Sequence, residues 1–215
     1  NADTIAYSFE IFSRFIKGRS ILEVGPAEGL MTAKLRELNM ELTCVEGSRV
    51  FSEALARQFP DISVVNCLFE EFEPGRKYDN IVLGHVLEHV EDPVQVLTQA
   101  GSWLAEGGII LSAVPNAMSL HRQAAVIMRL IDSEKAMSEL DGDHGHYRVF
   151  DPMEFRGAFH RAGLKVITHG GYWLKPLSNQ QIERDWTPQM LNAFMQLGER
   201  YPDIAGEQYV VASIE

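Results

Sequence analysis

Two stretches carry residue types that could do chemistry. The first is ILEVGPAEG, residues 21–29, where an apolar run ends in glycine and a second glycine opens a helical run. Glycines at the end of a strand let backbone approach a ligand closely, and the helix behind them presents free N–H groups. A dinucleotide fingerprint would need G-x-G-x-x-G. Here Gly25 and Gly29 flank Pro26 and Ala27, and Glu23 and Glu28 lie beside the turn. Those carboxylates disfavour a pyrophosphate and suit a cationic ligand that carries a ribose. The second stretch is DGDHGHYRVF, Asp141 to Phe150. It reads as a metal site, a catalytic loop or a polar turn before the next helix, and its own residues do not decide. Asp141, Asp143, His144 and His146 offer mixed oxygen and nitrogen donors. Consecutive loop residues rarely converge on one ion, however, and zinc more often draws on cysteine, so no metal is expected.

The elements that must hold these residues follow from hydrophobic spacing. Ile5, Phe9, Phe12 and Ile16 mark an amphipathic helix over residues 2–17, closed by Gly18. Short apolar runs (SILEVG, MELTCVEG, ISVVNCLF, KYDNIVLGHV, IILSAVP) then alternate with helical ones from residue 20 to 115. That rhythm predicts a mostly parallel sheet with helices on both faces. The second half adds two helical patches, SLHRQAAVIMRLI and SEKAMSEL, and then the helix PMEFRGAFHRAG and a strand LKVITHGGYW. A helical stretch near 176–203 and a last strand, EQYVVASI, follow; these complete an antiparallel edge. The expectation is a single α/β domain of three layers around a seven-stranded, mostly parallel sheet with an antiparallel last strand. Residues 1–18 form an N-terminal helix, 19–116 the ligand-binding half, and 117–150 and 175–203 helical cap insertions.

Bulk numbers narrow the partners. The chain has 215 residues, 46% hydrophobic and 23% charged, which suffices for one good core. With 30 acidic and 19 basic residues its formal charge is −11 and its basic residues are scattered, so nucleic acid is not an expected partner. Cys44 and Cys67 lie in apolar runs and read as buried thiols rather than a disulfide. No apolar run approaches the length of a membrane span, and the charged first twenty residues do not read as a signal peptide. A cytoplasmic protein with no membrane partner is expected.

ILEVGPAEG resembles the E-x-G-x-G-x-G motif of class I S-adenosylmethionine-dependent methyltransferases, with Ala27 in the place of the middle glycine. Further matches fall in the family's order: VEGS after the second strand, Cys67-Leu68-Phe69 after the third, GHVLEHVEDP after the fourth, and WLAEGGIILSAVPN around the fifth. The resemblance covers residues 19–116 and implies a Rossmann-like fold, S-adenosyl-L-methionine as cofactor and S-adenosyl-L-homocysteine as product. It implies that Glu23, Gly25, Pro26, Ala27 and Gly29 form the cofactor loop. Glu46 would accept from the ribose hydroxyls, with Gly47 and Ser48 beside it. Cys67, Leu68 and Phe69 would meet the adenine, and Gly84, His85 and Tyr7 the methionine end. Many relatives carry an Asp near the exocyclic amine where Cys67 stands here, so that contact passes to backbone.

Methyl transfer needs nucleophile and methyl in line, and a group that takes the proton of a hydroxyl or protonated amine. An ordinary histidine suits that role. GHYRVFDPMEF resembles a loop that folds across the substrate cavity in the family. That implies His146 or His144 as general base or substrate hydrogen-bond donor, and Tyr147 and Arg148 as acceptor contacts; His85, at the end of the fourth strand, is a third catalytic candidate. His89, Asn116 and His121 complete the expected acceptor side, while His160 and His169 read as structural. The leading expectation is methylation of O or N on a small metabolite, with a sugar or natural-product intermediate foremost. An RNA or protein methyltransferase and a non-catalytic cofactor-binding module are the alternatives. The stripe of Met190, Phe194 and Met195 reads as a packed helix or a homodimer face.

Overall fold

The apolar runs become strands covered on both faces. The structure, a computed structural model, describes residues 2–137, 142 and 145–214. Helix α1 (Ala2–Ser13) leads into β1 (Ser20–Val24), α2 (Leu30–Arg36), β2 (Glu41–Glu46), α3 (Arg49–Gln58) and β3 (Ser63–Asn66). Then come β4 (Tyr78–Gly84), α4 (Pro93–Trp103), β5 (Leu104–Pro115) and α5 (Leu120–Ile127). The chain closes with α6 (Pro152–Arg161), β6 (Lys165–Tyr172), α7 (Asn179–Asp185), α8 (Pro188–Arg200) and β7 (Glu207–Ser213).

The strands form one sheet in the order β3-β2-β1-β4-β5-β7-β6. Strands β1 to β5 run parallel, and β7 is antiparallel to both of its neighbours. The architecture is therefore the Rossmann-like, three-layer sheet expected. Residues of alternating parity face opposite layers, as the pleat requires. Leu22, Val24, Ile81, Leu83, Ile110 and Val114 pack with Leu97 of α4 and Phe155 and Phe159 of α6. Ile21, Cys44, Val82, Ile109 and Leu111 pack with Ile11 and Phe12 of α1, Met31 and Leu35 of α2, and Met195 of α8.

The order reverses between β1 and β4. A doubly wound sheet opens a crevice there, above the carboxyl ends of its strands. Helix starts near this edge are pinned locally. Ser48 and Asp92 accept from backbone N–H groups of the first turns of α3 and α4, and Asp151 forms a capping box with Glu154 at α6.

Several boundaries differ from expectation. Helix α1 stops at Ser13, because the chain must turn toward β1, where Asn80 of β4 accepts from the Lys17 N–H at 3.0 Å. Strand β3 ends at Asn66, so Cys67 lies past the strand and is only partly buried, whereas Cys44 is fully buried; both are free thiols. Strand β5 starts at Leu104, ahead of Gly107-Gly108. Of SEKAMSEL, residues 133–137 form turns rather than helix, and 138–140 lie outside the described residues. The stripe on α8 faces inward: Met195 is buried and the Phe194 ring packs on Trp186 at 4.5 Å, which leaves Met190 exposed.

Candidate active site

Register brings the site together before any loop is considered. Val24 pairs with Val45, Glu46 with Asn66, Gly84 with Ala113, and Glu207 with both Pro115 and Tyr172. The ends of β1 to β5 and the start of β7 thus share one edge of the sheet.

The turn after β1 is tight. Gly25, Ala27 and Gly29 all have left-handed φ, at 66°, 47° and 76°. At Gly29 a Cβ would come 2.6 Å from Leu55 Cδ2, so close packing of α3 also requires glycine there. Ala27 adopts the same hand at a conformational cost of roughly 1–2 kcal/mol. A specific contact holds it in place: the Ala27 N–H donates to Glu46 Oε2 at 2.9 Å, while Ser48 N–H donates to Glu46 Oε1 at 2.8 Å. Glu46 therefore ties the glycine turn to the turn after β2, and each of its oxygens keeps further acceptor capacity.

Glu23 sits lower, on the face toward α2. It is buried and accepts from Thr32 Oγ1 at 2.7 Å and from the Cys44 thiol at 3.4 Å. Burial pushes its carboxyl up to about 7, against the two hydrogen bonds and aided by the charge of Glu46. The placement makes Glu23 a brace beneath the turn, joining β1, β2 and α2. Beside Glu46, a Cβ on Gly47 would approach Leu68 Cδ2 to 2.9 Å. Half of the Leu68 side chain remains exposed next to this turn. Cys67 and Phe69 are partly buried neighbours on the same turn, and burial raises the Cys67 thiol above its usual range.

Across the crevice, His85 follows β4 with φ of 56°, uncommon outside glycine. Its Nδ1 lies 3.2 Å from Glu88 Oε1 and its Nε2 lies 4.0 Å from Glu207 Oε2. Burial opposes its charge, but the bond to Glu88 and the charges of Glu207 and Glu88 prevail and raise it to about 9. His85 Nε2, Glu88 Oε2, Glu207 Oε2 and the Tyr172 hydroxyl are all buried atoms without a hydrogen-bond partner. Such orphans are rare in native structures, and each calls for a ligand, an ion, a water or a catalytic role.

The remaining expected residues divide. The His146 ring meets the His89 ring edge-on at 4.6 Å, and the Tyr147 N–H donates to the Glu88 carbonyl at 2.8 Å, so this loop does close over the end of β4. His144, Asp141 and Asp143 lie outside the described residues. Arg148 donates to the Glu91 carbonyl at 2.8 Å, and Tyr147 is exposed toward an outer cleft of about 540 Å³ that also includes Lys135 and Glu154. Both residues line that cleft. Asn116 is committed to structure: its amide donates to the Asp203 and Ala205 carbonyls, and its oxygen accepts from the Met118 N–H. His121 is held neutral, pushed down to about 3 by burial and then by Lys175 and Arg122. Tyr7 stacks on Tyr172 at 5.8 Å between ring centroids, and its hydroxyl donates to Glu199 of α8, away from the glycine turn.

Sequence reasoning missed Glu207, Glu88 and Tyr172. Glu88 stood in the noted LEHV run. Glu207 and Tyr172 gave no local signal, since only the pairing of β6 with β7 brings them to this edge.

Comparisons with known proteins give the family. A family profile described as a methyltransferase domain matches residues 2–169. This chain belongs to that methyltransferase family. The chain is 26% identical over 183 residues to the ubiquinone biosynthesis O-methyltransferase of Paramagnetospirillum magneticum, covering 82% of this chain and 71% of that protein. A second protein of that name, from Aeromonas salmonicida, is 26% identical over 170 residues, 76% of this chain and 70% of its own. Among solved structures, the CcbJ methyltransferase from Streptomyces caelestis aligns with a TM-score of 0.67 at 14% identity, covering 98% of this chain and 89% of that one. A glycopeptide N-methyltransferase solved with S-adenosyl-L-methionine aligns with a TM-score of 0.66 at 13% identity, covering 98% and 87%. These two share the fold of this methyltransferase. Among the described residues, no helix is long and apolar enough to cross a membrane.

Proposed function

We propose that this methyltransferase moves a methyl group from S-adenosyl-L-methionine to an oxygen or nitrogen of a small molecule, with the acceptor seated between His85 and Glu207. One observation carries the seat. His85 Nε2 and Glu207 Oε2 are both buried, both lack a hydrogen-bond partner, and face each other across 4.0 Å. A hydroxyl or amine can bridge the two atoms from one side, donating to the carboxylate and held by the imidazole.

The residues fit the cofactor. Glu46 retains acceptor capacity for two ribose hydroxyls, the glycine turn has no side chain bulk at Gly25 and Gly29, and exposed Leu68 offers an apolar wall beside Gly47 for a purine ring. When bound, S-adenosyl-L-methionine supplies an electrophilic methyl on a sulfonium centre. The chain's own work is positional. Gly25, Ala27 and Glu46 hold the donor end, Glu23 braces the turn from below, and Glu207 takes the acceptor's proton while His85 orients the acceptor atom. The loop from Gly145 to Phe150 screens the acceptor side through its contacts at His89 and Glu88. Relatives named for O-methylation and a structural neighbour named for N-methylation support both acceptor atoms.

The test is transfer of labelled methyl to a panel of phenols, sugar hydroxyls and amines, together with donor binding by calorimetry. Label in at least one small-molecule class, blocked by S-adenosyl-L-homocysteine, is expected. Label that appears only in tRNA or protein overturns the acceptor class.

A further inference from the structure

We infer that Glu88, His89 and His146 form a binding site for one divalent ion of the zinc class. Their donor atoms, two imidazole nitrogens and a carboxylate oxygen, all lie within 4.8 Å of one another. Among the described residues this is the one group with that property. Zinc bonds of about 2.0–2.2 Å to nitrogen and oxygen place tetrahedral ligands a little over 3 Å apart. Small side-chain rotations close the remaining distance.

A second observation points to a cation independently. Glu88 is 1% exposed, its Oε1 faces His85 Nδ1 at 3.2 Å, and its Oε2 is buried with no partner. A buried carboxylate oxygen without a donor is costly unless a cation meets it. The backbone also prepares the set. Glu88 and His89 share one turn of 3-10 helix, and the Tyr147 N–H donates to the Glu88 carbonyl at 2.8 Å, which delivers the adjacent His146 to the same place. The two rings already touch edge-on at 4.6 Å. His89 is exposed, so an ion can enter from solvent.

Ligand chemistry selects the ion. Two imidazoles and one carboxylate suit zinc, cobalt(II) and similar borderline ions, whereas magnesium prefers oxygen ligands and water. Three protein ligands leave a fourth tetrahedral position open, the arrangement of sites that hold water or a substrate oxygen. The ion would thus fasten the loop over the crevice and present a Lewis-acidic position beside the acceptor seat. The site stands on its own geometry and does not require the proposed acceptor.

The experiment uses chelator-stripped full chain titrated with zinc against a chromophoric competitor, and with cobalt(II) followed by its visible absorption. One ion per chain, tetrahedral cobalt bands and at least about a tenfold weaker affinity in both His89→Ala and His146→Ala are expected. Circular dichroism melts check that each variant is folded; if His146→Ala fails to fold, the exposed His89→Ala carries the test. Absence of saturable zinc binding overturns the inference. So does one-to-one binding that survives both substitutions, or magnesium binding as tight as zinc.

Discussion

At the scale of single residues, two carboxylates divide the work that one motif suggested for the whole site. Glu46 bridges the Ala27 and Ser48 N–H groups at the sheet edge, where a ribose would sit. Charge-assisted bonds of this kind are worth about 1.5–3 kcal/mol each. Glu46→Ala is therefore expected to weaken donor binding by at least about tenfold in calorimetry, with less change in turnover at saturating donor. Unchanged affinity would place the ribose elsewhere. Glu207 lies across the crevice with an unpartnered Oε2, and Gln at that position keeps the shape but cannot take a proton. Glu207→Gln is expected to lower kcat by about 100-fold, the usual scale of a lost general base, while donor affinity stays within a few-fold. Equal losses in both parameters would reduce Glu207 to a packing role.

At the scale of elements, the glycine turn shows how a local departure is tolerated. Ala27 holds φ of 47° with its methyl group exposed, so it gains no packing in return for strain. Ala27→Gly relieves roughly 1–2 kcal/mol of left-handed strain and adds about 0.5–1 kcal/mol of unfolded-chain entropy. A net gain of about 0.5–1 kcal/mol follows, seen as a Tm rise of roughly 2 °C. A lower Tm would mean that the methyl makes a contact worth more than the strain. This turn, the alternating elements and the strand ends were legible because each has a short-range signature: a glycine spacing, a period of two, or a period near 3.6. Glu207 and Tyr172 were not legible, because they reach the crevice only through antiparallel pairing of strands more than thirty residues apart. Asn116 misled for the converse reason. A polar residue just after a parallel strand resembles a ligand contact, yet this one closes onto the Asp203 and Ala205 carbonyls.

For the whole molecule, the buried acids link stability to pH. Glu23 lies at the junction of β1, β2 and α2, 2% exposed, with its carboxyl pushed up to about 7 by burial. Its ordinary value is 4.5. Between those two values the folded chain holds a proton that the unfolded chain releases. Stability then falls as pH rises through this window and levels off above it. Glu207, also raised by burial, acts with the same sign. Asp79 and Asp151 act oppositely, because hydrogen bonds and Lys135 hold them low; their contributions are lost only in stronger acid. His121 also acts oppositely: burial holds it at about 3 against an ordinary 6.5, so its contribution is lost as pH falls below 6.5, inside the Glu23 window. His85, raised to about 9, adds to the fall in stability above 6.5. The Glu23 contribution is therefore read as a difference: from about pH 4.5 to 7 the Tm of Glu23→Gln relative to wild type is expected to rise by about 5 °C, since the Glu23 shift amounts to roughly 3 kcal/mol. Glu23→Gln has no proton to release, so this contribution is absent from the variant while those of His85 and His121 remain. If the Tm difference between variant and wild type does not change with pH, Glu23 is already ionised in the folded chain and the brace under the glycine turn carries a charge.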